Sequence, residues 1–182
     1  TLDSNIIVDG INRVTINPSG VFLDQTLITI SGESSTIKNL TLSHNDKTAL
    51  IILGANNTVE NCTFKNSKIG IEVDSSVPNK LTQNTFENIT EQAIKLINGG
   101  NANLDAPSAL SAERIDANNW KITGIVSDDT TKVEVYLDYD GSTPQGEEYI
   151  KTVDTANPGN LEALMTEHNP NANYTMLAFD SD

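Results

Sequence analysis

Hydrophobic and polar residues alternate in short groups along the first part of the chain, and this pattern recurs every 22 residues. Three successive units have that length, at 36–57, 58–79 and 80–101. The recurring columns are Ile37, Val59 and Leu81; Leu42, Phe64 and Phe86; Thr41, Thr63 and Thr85; and Asn57, Asn79 and Asn101. A fixed period in this range predicts a repeat architecture.

Within each unit the apolar residues fall at every second position, which predicts short strands with one buried face. In the unit 58–79, Cys62 and Phe64 form one such group, and Ile69, Ile71 and Val73 form another. The residues between the groups are Asn, Gly, Ser and Asp, which tolerate tight or left-handed backbone. At ~3.3 Å per strand residue, one unit suffices for a coil of three short strands. Stacked coils would form a parallel β-helix, in which each coil contacts its neighbours.

Asparagines at the predicted corners are interpreted as an internal ladder. Asn39 and Asn61 lie one unit apart, and a buried asparagine can hydrogen-bond the coils above and below it. The third unit has Gln83 at the aligned position and Asn84 after it, so the ladder either continues through one of these residues or stops there.

The single cysteine and the two histidines offer little nucleophilic chemistry. Cys62 lies in a predicted core strand with no nearby cation to lower its pKa, so we predict a buried core thiol. His44 shares a column with Asn66 and Asn88, which favours a turn residue.

The repeats Ile37-x-Asn39-x-x-Leu42, Val59-x-Asn61-x-x-Phe64 and, less closely, Leu81-x-Gln83-x-x-Phe86 resemble those of the pectate-lyase-like right-handed β-helix superfamily. The resemblance implies a right-handed coil. Lyases of this superfamily combine an Arg or Lys base with calcium-binding carboxylates on one outer sheet. In 1–102 the one arginine is Arg13, in the irregular first coil.

The 22-residue period ends near 101, and the composition 99–109 is typical of a linker. Strand-like segments follow at 120–126, 132–139, 148–153, 161–165 and 173–179. Short strands at this spacing favour a β-sandwich. The segments resemble the Ig-like modules that follow β-helices in large secreted bacterial proteins. We therefore expect an all-β chain, with a short right-handed parallel β-helix at 1–102, a linker at 103–109 and an Ig-like β-sandwich at 110–182.

The charge distribution supports two domains and argues against nucleic acid as a partner. Residues 1–102 carry 10 acidic and 7 basic side chains, whereas 103–182 carry 15 acidic and 4 basic. No stretch reaches the ~20 apolar residues of a membrane span, and no signal peptide is recognised. The pattern begins without an amphipathic cap, so we expect further domains of a longer, secreted or surface-attached bacterial protein.

Two groups of residues are candidate sites. Glu72 and Asp74 lie on or near a third strand, with Lys95 about one coil later, so this trio could bind a uronate or calcium. Asp138-x-Asp140-Gly141 resembles the start of a calcium loop, because alternating carboxylates beside a Gly turn can surround a hard cation. A solvated surface for the trio and a solubilising acidic loop for the aspartates are the structural alternatives.

These features favour a non-catalytic structural or adhesive segment that displays a long surface and contacts a polysaccharide or a cell-surface glycan. The alternative is a fragment of a calcium-dependent lyase that acts on acidic polysaccharide. A third interpretation is a structural spacer without any ligand. No cofactor is assigned with certainty, and calcium is the candidate ion.

Overall fold

The computed structural model describes residues 1–18, 25–44, 46–103, 105, 107–127, 130–138, 146–155, 159–166 and 173–180. The chain divides into two compact units, Thr1–Asn103 and Leu104–Asp182. Strands joined by turns dominate both units. Within the described residues, no helix is long and apolar enough to cross a bilayer.

The first unit, hereafter the solenoid, is a stack of about three regular coils preceded by a less regular one. Its strands are β1 (Ile7–Ile16), β2 (Ile28–Ile30), β3 (Thr36–Ser43), β4 (Thr48–Ile52), β5 (Thr58–Glu60), β6 (Thr63–Lys65), β7 (Ile69–Val73), β8 (Lys80–Thr82), β9 (Thr85–Glu87) and β10 (Gln92–Leu96). Every strand pair is parallel and joins neighbouring coils. One sheet has the order β10-β7-β4-β2, and the other has the order β8-β5-β3-β6-β9, with β1 also paired to β3. The predicted 22-residue coil of three short strands is confirmed for β5–β7 and β8–β10, whereas the first two strands are continuous in β3.

The core of the solenoid consists of apolar columns that run from coil to coil. Leu42 pairs in register with Phe64, and Phe64 with Phe86. The two phenylalanine rings stack with centroids 5.4 Å apart and planes 16° apart. Because all three side chains are buried, each coil covers the apolar face of the next, which is the main favourable term that holds a solenoid together.

The corners of the coils are residues in the left-handed conformation, and most of them are asparagines. Asn39 and Asn61 have φ of 59° and 50°, and Gln83 continues this column with φ of 54°. Asparagine tolerates this region because its short polar side chain can hydrogen-bond locally. At this bend the corner residue points away from the core and the next residue, Leu40, Cys62 or Asn84, is buried.

The asparagine ladder predicted at Asn39 and Asn61 exists, but the prediction that it is buried is wrong. Asn61 is exposed, and its Nδ2 donates to Asn39 Oδ1 at 2.7 Å. Asn39 Nδ2 in turn donates to Asp9 Oδ1 at 2.7 Å. This hydrogen bond is the main reason why the pKa of the Asp9 carboxyl lies below its ordinary value. The ladder therefore links side chains on the outer surface and satisfies no backbone group.

A second ladder, inside the solenoid, satisfies the backbone. Asn57 Oδ1 accepts from the Ser35 N–H at 2.9 Å, Asn79 Oδ1 from the Asn57 N–H at 2.9 Å, and Asn101 Oδ1 from the Asn79 N–H at 2.6 Å. Asn57 and Asn79 are buried. Asn57 Nδ2 also donates to the Gly32 carbonyl at 3.0 Å. These bonds matter because an unpaired backbone group in a dry turn would cost about 1–3 kcal/mol.

The second unit contains antiparallel sheets. Its strands are β11 (Ser108–Arg114), β12 (Asn119–Ile125), β13 (Thr130–Asp138), β14 (Glu148–Asp154), β15 (Asn160–Thr166) and β16 (Asn173–Asp180). Among the described residues they form two three-stranded sheets, β11-β12-β15 and β14-β13-β16. Residues from both sheets share one hydrophobic core: Ile122, Val126, Val133, Val135, Leu161, Ala163 and Met165. β12 to β16 overlap the five predicted strands, and β11 has no predicted counterpart.

Candidate functional surface of the solenoid

The outer face of the sheet β10-β7-β4-β2 carries one column of side chains that runs across the coils. Thr29 pairs in register with Ile51, Ile51 with Glu72, and Glu72 with Lys95. All four residues are partly exposed, because each lies at an outward position between inward-facing residues such as Ile71 and Val73. The column joins a hydroxyl, an apolar surface and two opposite charges on neighbouring strands, which lie ~4.8 Å apart in a sheet.

The structure brings two residues of the predicted trio into direct contact. Lys95 Nζ lies 3.2 Å from Glu72 Oε2, with 36% and 17% of the respective side chains exposed. Asp74 instead accepts a hydrogen bond from Asn98 Nδ2 at 3.0 Å. The trio therefore forms two separate links between adjacent coils, and each pair leaves oxygen and nitrogen atoms facing solvent.

A hydroxyl column lies on the other sheet. Thr41, Thr63 and Thr85 pair in register, and Thr85 Oγ1 donates to Thr63 Oγ1 at 3.1 Å. The register extends the column to Thr15 in β1, which the 22-residue period does not identify because β1 contains an irregularity between Asp9 and Val14. The solenoid thus presents regular polar rows on both of its sheets.

The cysteine and the first histidine are both buried. Burial raises the pKa of the Cys62 thiol from 9.0 to about 11, and the thiol contacts the Glu60 carbonyl at 3.4 Å. The predicted core thiol is confirmed, and it stays protonated at neutral pH. His44 follows β3, but its ring is fully buried and contacts the Gln25 carbonyl, so the prediction of a simple turn residue was incomplete. In this coil it takes the inward place that Ser67 has in the next, where the Ser67 hydroxyl accepts from the His44 N–H.

The predicted calcium ligands cannot be compared with the structure in the same way. Asp138 is the last residue of β13, but its side chain lies outside the described residues, as does the whole of Asp140. Arg13 lies in β1, and its side chain is also outside the described part of the chain. Among the residues that are described, no three His, Cys, Asp or Glu side chains form a cluster that could hold a metal ion.

Sequence reasoning missed two arrangements of buried polar groups. The column of Asn57, Asn79 and Asn101 was visible as a repeat, but its role as the internal ladder was not assigned. In β13 of the second unit, Glu134 and Tyr136 are buried, and the Tyr136 hydroxyl donates to Glu134 Oε2. The alternation of this strand predicts Glu134 at an outward position, so no sequence signal indicated its burial.

Comparison with known proteins agrees with the stacked coils. No curated protein matches the chain. The family model for the right handed beta helix region matches residues 26–138, which is more than half of the chain. The match covers the three regular coils and continues into β11 to β13, where the strands are antiparallel. The matched length and the parallel coils of the solenoid establish that the chain belongs to the right-handed β-helix region family.

Proposed function

We propose that this chain is a non-catalytic structural and adhesive segment of a secreted or cell-surface bacterial protein, and that its solenoid contacts carbohydrate. The outer column Thr29, Ile51, Glu72 and Lys95 is the proposed contact surface. The segment would act as a stiff support that presents this surface, within a longer chain that carries further domains.

The observation that carries the proposal is the regular spacing of polar side chains on an exposed sheet. A polysaccharide is a repeating chain of hydroxyl groups and apolar sugar faces. The Glu72 carboxylate and the Lys95 ammonium can exchange hydrogen bonds with hydroxyls, and bonds to charged groups are the stronger ones. Ile51, directly beside them in register, offers an apolar surface to a sugar face. Adjacent coils repeat these chances of contact at strand spacing.

The finer assignments of fold belong to the same proposal. The repeats of the solenoid support a pectate-lyase-like coil. The two antiparallel sheets with a common core support an Ig-like β-sandwich in the second unit. Its acidic loops, with Asp138 and Asp140 as the favoured ligands, are the proposed place for a calcium ion.

One observation favours the alternative of a lyase that acts on acidic polysaccharide. Lys95 lies beside Glu72, and a lysine could act as the base that removes a proton from a uronate while carboxylates hold calcium. Against it, the Glu72 carboxylate already pairs with the Lys95 ammonium, which favours the charged form of the lysine. A lyase would therefore require this pair to separate when substrate and calcium bind.

Binding of the whole chain to immobilised neutral and acidic polysaccharides, with and without calcium, tests the proposal. We expect binding to at least one polymer, weakened by Lys95→Gln and by Ile51→Ala. Lys68→Gln is the matched control, because Lys68 also links two coils through an ion pair, with Glu91 at 3.0 Å, but at a turn. If no polymer binds, or if the Lys68 variant loses as much binding as the Lys95 variant, the proposed surface is wrong.

A further inference from the structure

The last coil of the solenoid ends in a turn that contains the one Asn-Gly sequence of the chain, Asn98-Gly99. Asn98 is exposed and has φ of 51°, and Gly99 has φ of 82°. Asn98 Nδ2 donates to Asp74 Oδ1, one coil earlier, at 3.0 Å. The turn then leads to Asn101, whose Oδ1 accepts from the Asn79 N–H and so ends the buried ladder.

We infer that Asn98 is a site of spontaneous deamidation, and that the modification turns the link between Asp74 and Asn98 from an attraction into a repulsion. The Gly99 backbone nitrogen loses its proton to hydroxide and attacks Asn98 Cγ. A C–N bond forms to give a five-membered succinimide, and the side-chain nitrogen leaves as ammonia. Water then opens one of the two carbonyls of the ring to give aspartate or isoaspartate.

The next residue decides the rate, because the backbone nitrogen must approach the side chain closely. Glycine has no Cβ to obstruct this approach and moves freely through the required backbone angles. Asn88 provides a comparison inside the same molecule. It is also exposed, with φ of 53°, and its Nδ2 also donates to the previous coil, at Asn66 Oδ1 and 3.3 Å. It is followed by the β-branched Ile89, which is stiff and bulky.

The consequence of the reaction is specific to Asn98, because of what faces it. An ionised aspartate at 98 has acceptor atoms only, and so has Asp74, so two carboxylates would face each other where an amide now donates. At position 88 the opposite side chain is the amide of Asn66, which can rotate and donate to a new carboxylate. Negative charge is therefore tolerated at 88 and unfavourable at 98.

The isoaspartate product also changes the length of the main chain. It adds a methylene between the end of β10, at Leu96, and Asn101. The turn has little room for such a shift, because a Cβ on Gly100 would lie 2.3 Å from the Val73 carbonyl oxygen. Displacement of Asn101 would remove the acceptor of the Asn79 N–H, so the reaction would loosen the last coil.

Peptide mapping by mass spectrometry, after incubation of the intact chain at mildly alkaline pH, tests the reaction. Deamidation adds about one dalton to the peptide that contains the modified residue. We expect Asn98 to react at least about tenfold faster than Asn88, since only Asn98 precedes a glycine. Equal rates at the two positions would overturn the proposal, and so would complete stability of Asn98 while Asn88 reacts.

Charge exchange tests the consequence separately. We expect Asn98→Asp to lower the melting temperature, Asn88→Asp to leave it close to that of the wild type, and the double variant D74N/N98D to restore it. The double variant recreates a carboxylate and an amide across the same gap with their positions exchanged. A double variant that is no more stable than Asn98→Asp alone, or a loss at Asn88→Asp as large as at Asn98→Asp, would contradict the electrostatic explanation.

Discussion

The two asparagine ladders of the solenoid have the same period and the same residue type, yet they do different work. The exposed ladder of Asn39 and Asn61 joins one side-chain amide to the next on the outer surface. The buried ladder of Asn57, Asn79 and Asn101 joins each side-chain oxygen to a backbone N–H of the preceding coil. The first ladder lies in water and competes with it for hydrogen bonds, whereas the second satisfies groups that water cannot reach.

Backbone conformation explains the difference. A corner residue in the left-handed region points outward, and the residue after it points into the coil. Asn56 is such a corner, with φ of 56°, and Asn57 follows it into the core. Asn61 is itself a corner, and the residue that follows it into the core is Cys62. An asparagine stabilises the interior of this solenoid where it comes directly after a corner.

The largest expected effect is from removing a buried rung. Asn57→Ala leaves the Ser35 N–H and the Gly32 carbonyl without their partner, so we expect a loss of about 3 kcal/mol in the free energy of unfolding, measured with urea. Asn57→Ser should cost clearly less, because Ser35 plays the same role one coil earlier, where its hydroxyl accepts from the Ile6 N–H at 3.0 Å and donates to the Asp3 carbonyl at 2.7 Å. Equal losses for Ala and Ser would mean that the ladder does not stabilise the coil through these bonds.

The thiol beside the exposed ladder provides a test of burial by pH. Its pKa in the folded chain is about 11, against an ordinary value of 9.0. Between these values the unfolded chain has lost the proton and the folded chain has kept it, so stability falls as pH rises through this window, by up to about 2–3 kcal/mol. Cys62→Ala should lack this alkaline decrease in unfolding experiments, although the smaller side chain lowers stability at neutral pH. An identical pH dependence for both proteins would place the thiol in contact with water.

A smaller effect is expected at the exposed corner. Asn61→Ala keeps the left-handed φ but loses the residue type that tolerates it, at a cost of about 1 kcal/mol. Asn61→Gly should cost almost nothing, because glycine adopts this conformation freely. At position 57 the order should reverse, with Gly worse than Ala, since no left-handed conformation is required there. Thermal unfolding of the four variants measures both orders, and the same order at both sites would disprove the distinction between the ladders.

The smallest effect should come from the surface pair of Glu72 and Lys95. Partly exposed ion pairs contribute about 0–1 kcal/mol, because solvent and salt screen them. A double-mutant cycle with Glu72→Gln and Lys95→Gln should give a coupling energy within that range, lower at high salt. A coupling several times larger would indicate that the pair belongs to the framework of the solenoid and is not free to exchange partners with a ligand.

The sequence predicts what depends on period and alternation. The columns that contain Phe64 and Ile71 follow from spacing alone, as do the strands of the second unit. Spacing cannot distinguish Asn39 from Asn57, because both columns repeat every 22 residues and only the φ of the corner residue decides which side chain turns inward. Alternation likewise predicts Glu134 at the surface, and its burial depends on tertiary packing on the second face of β13.

The candidate site is predictable to the same extent. Parallel register aligns Glu72 with Lys95 once the coils are known, and the structure has this pairing. The partner of Asp74 depends on the conformation of the turn at Asn98, which the period does not contain. The sequence therefore identifies residues on one surface and leaves their pairing to local geometry.

The most direct test of the proposed function is chromatography of the products after the chain has been incubated with neutral and acidic polysaccharides, with and without calcium. We predict that bound polysaccharide is recovered at its original length, with no new unsaturated ends, under every condition in which binding occurs. Unsaturated oligosaccharides that appear with calcium, and disappear in Lys95→Gln, would contradict the non-catalytic function and establish the lyase in its place.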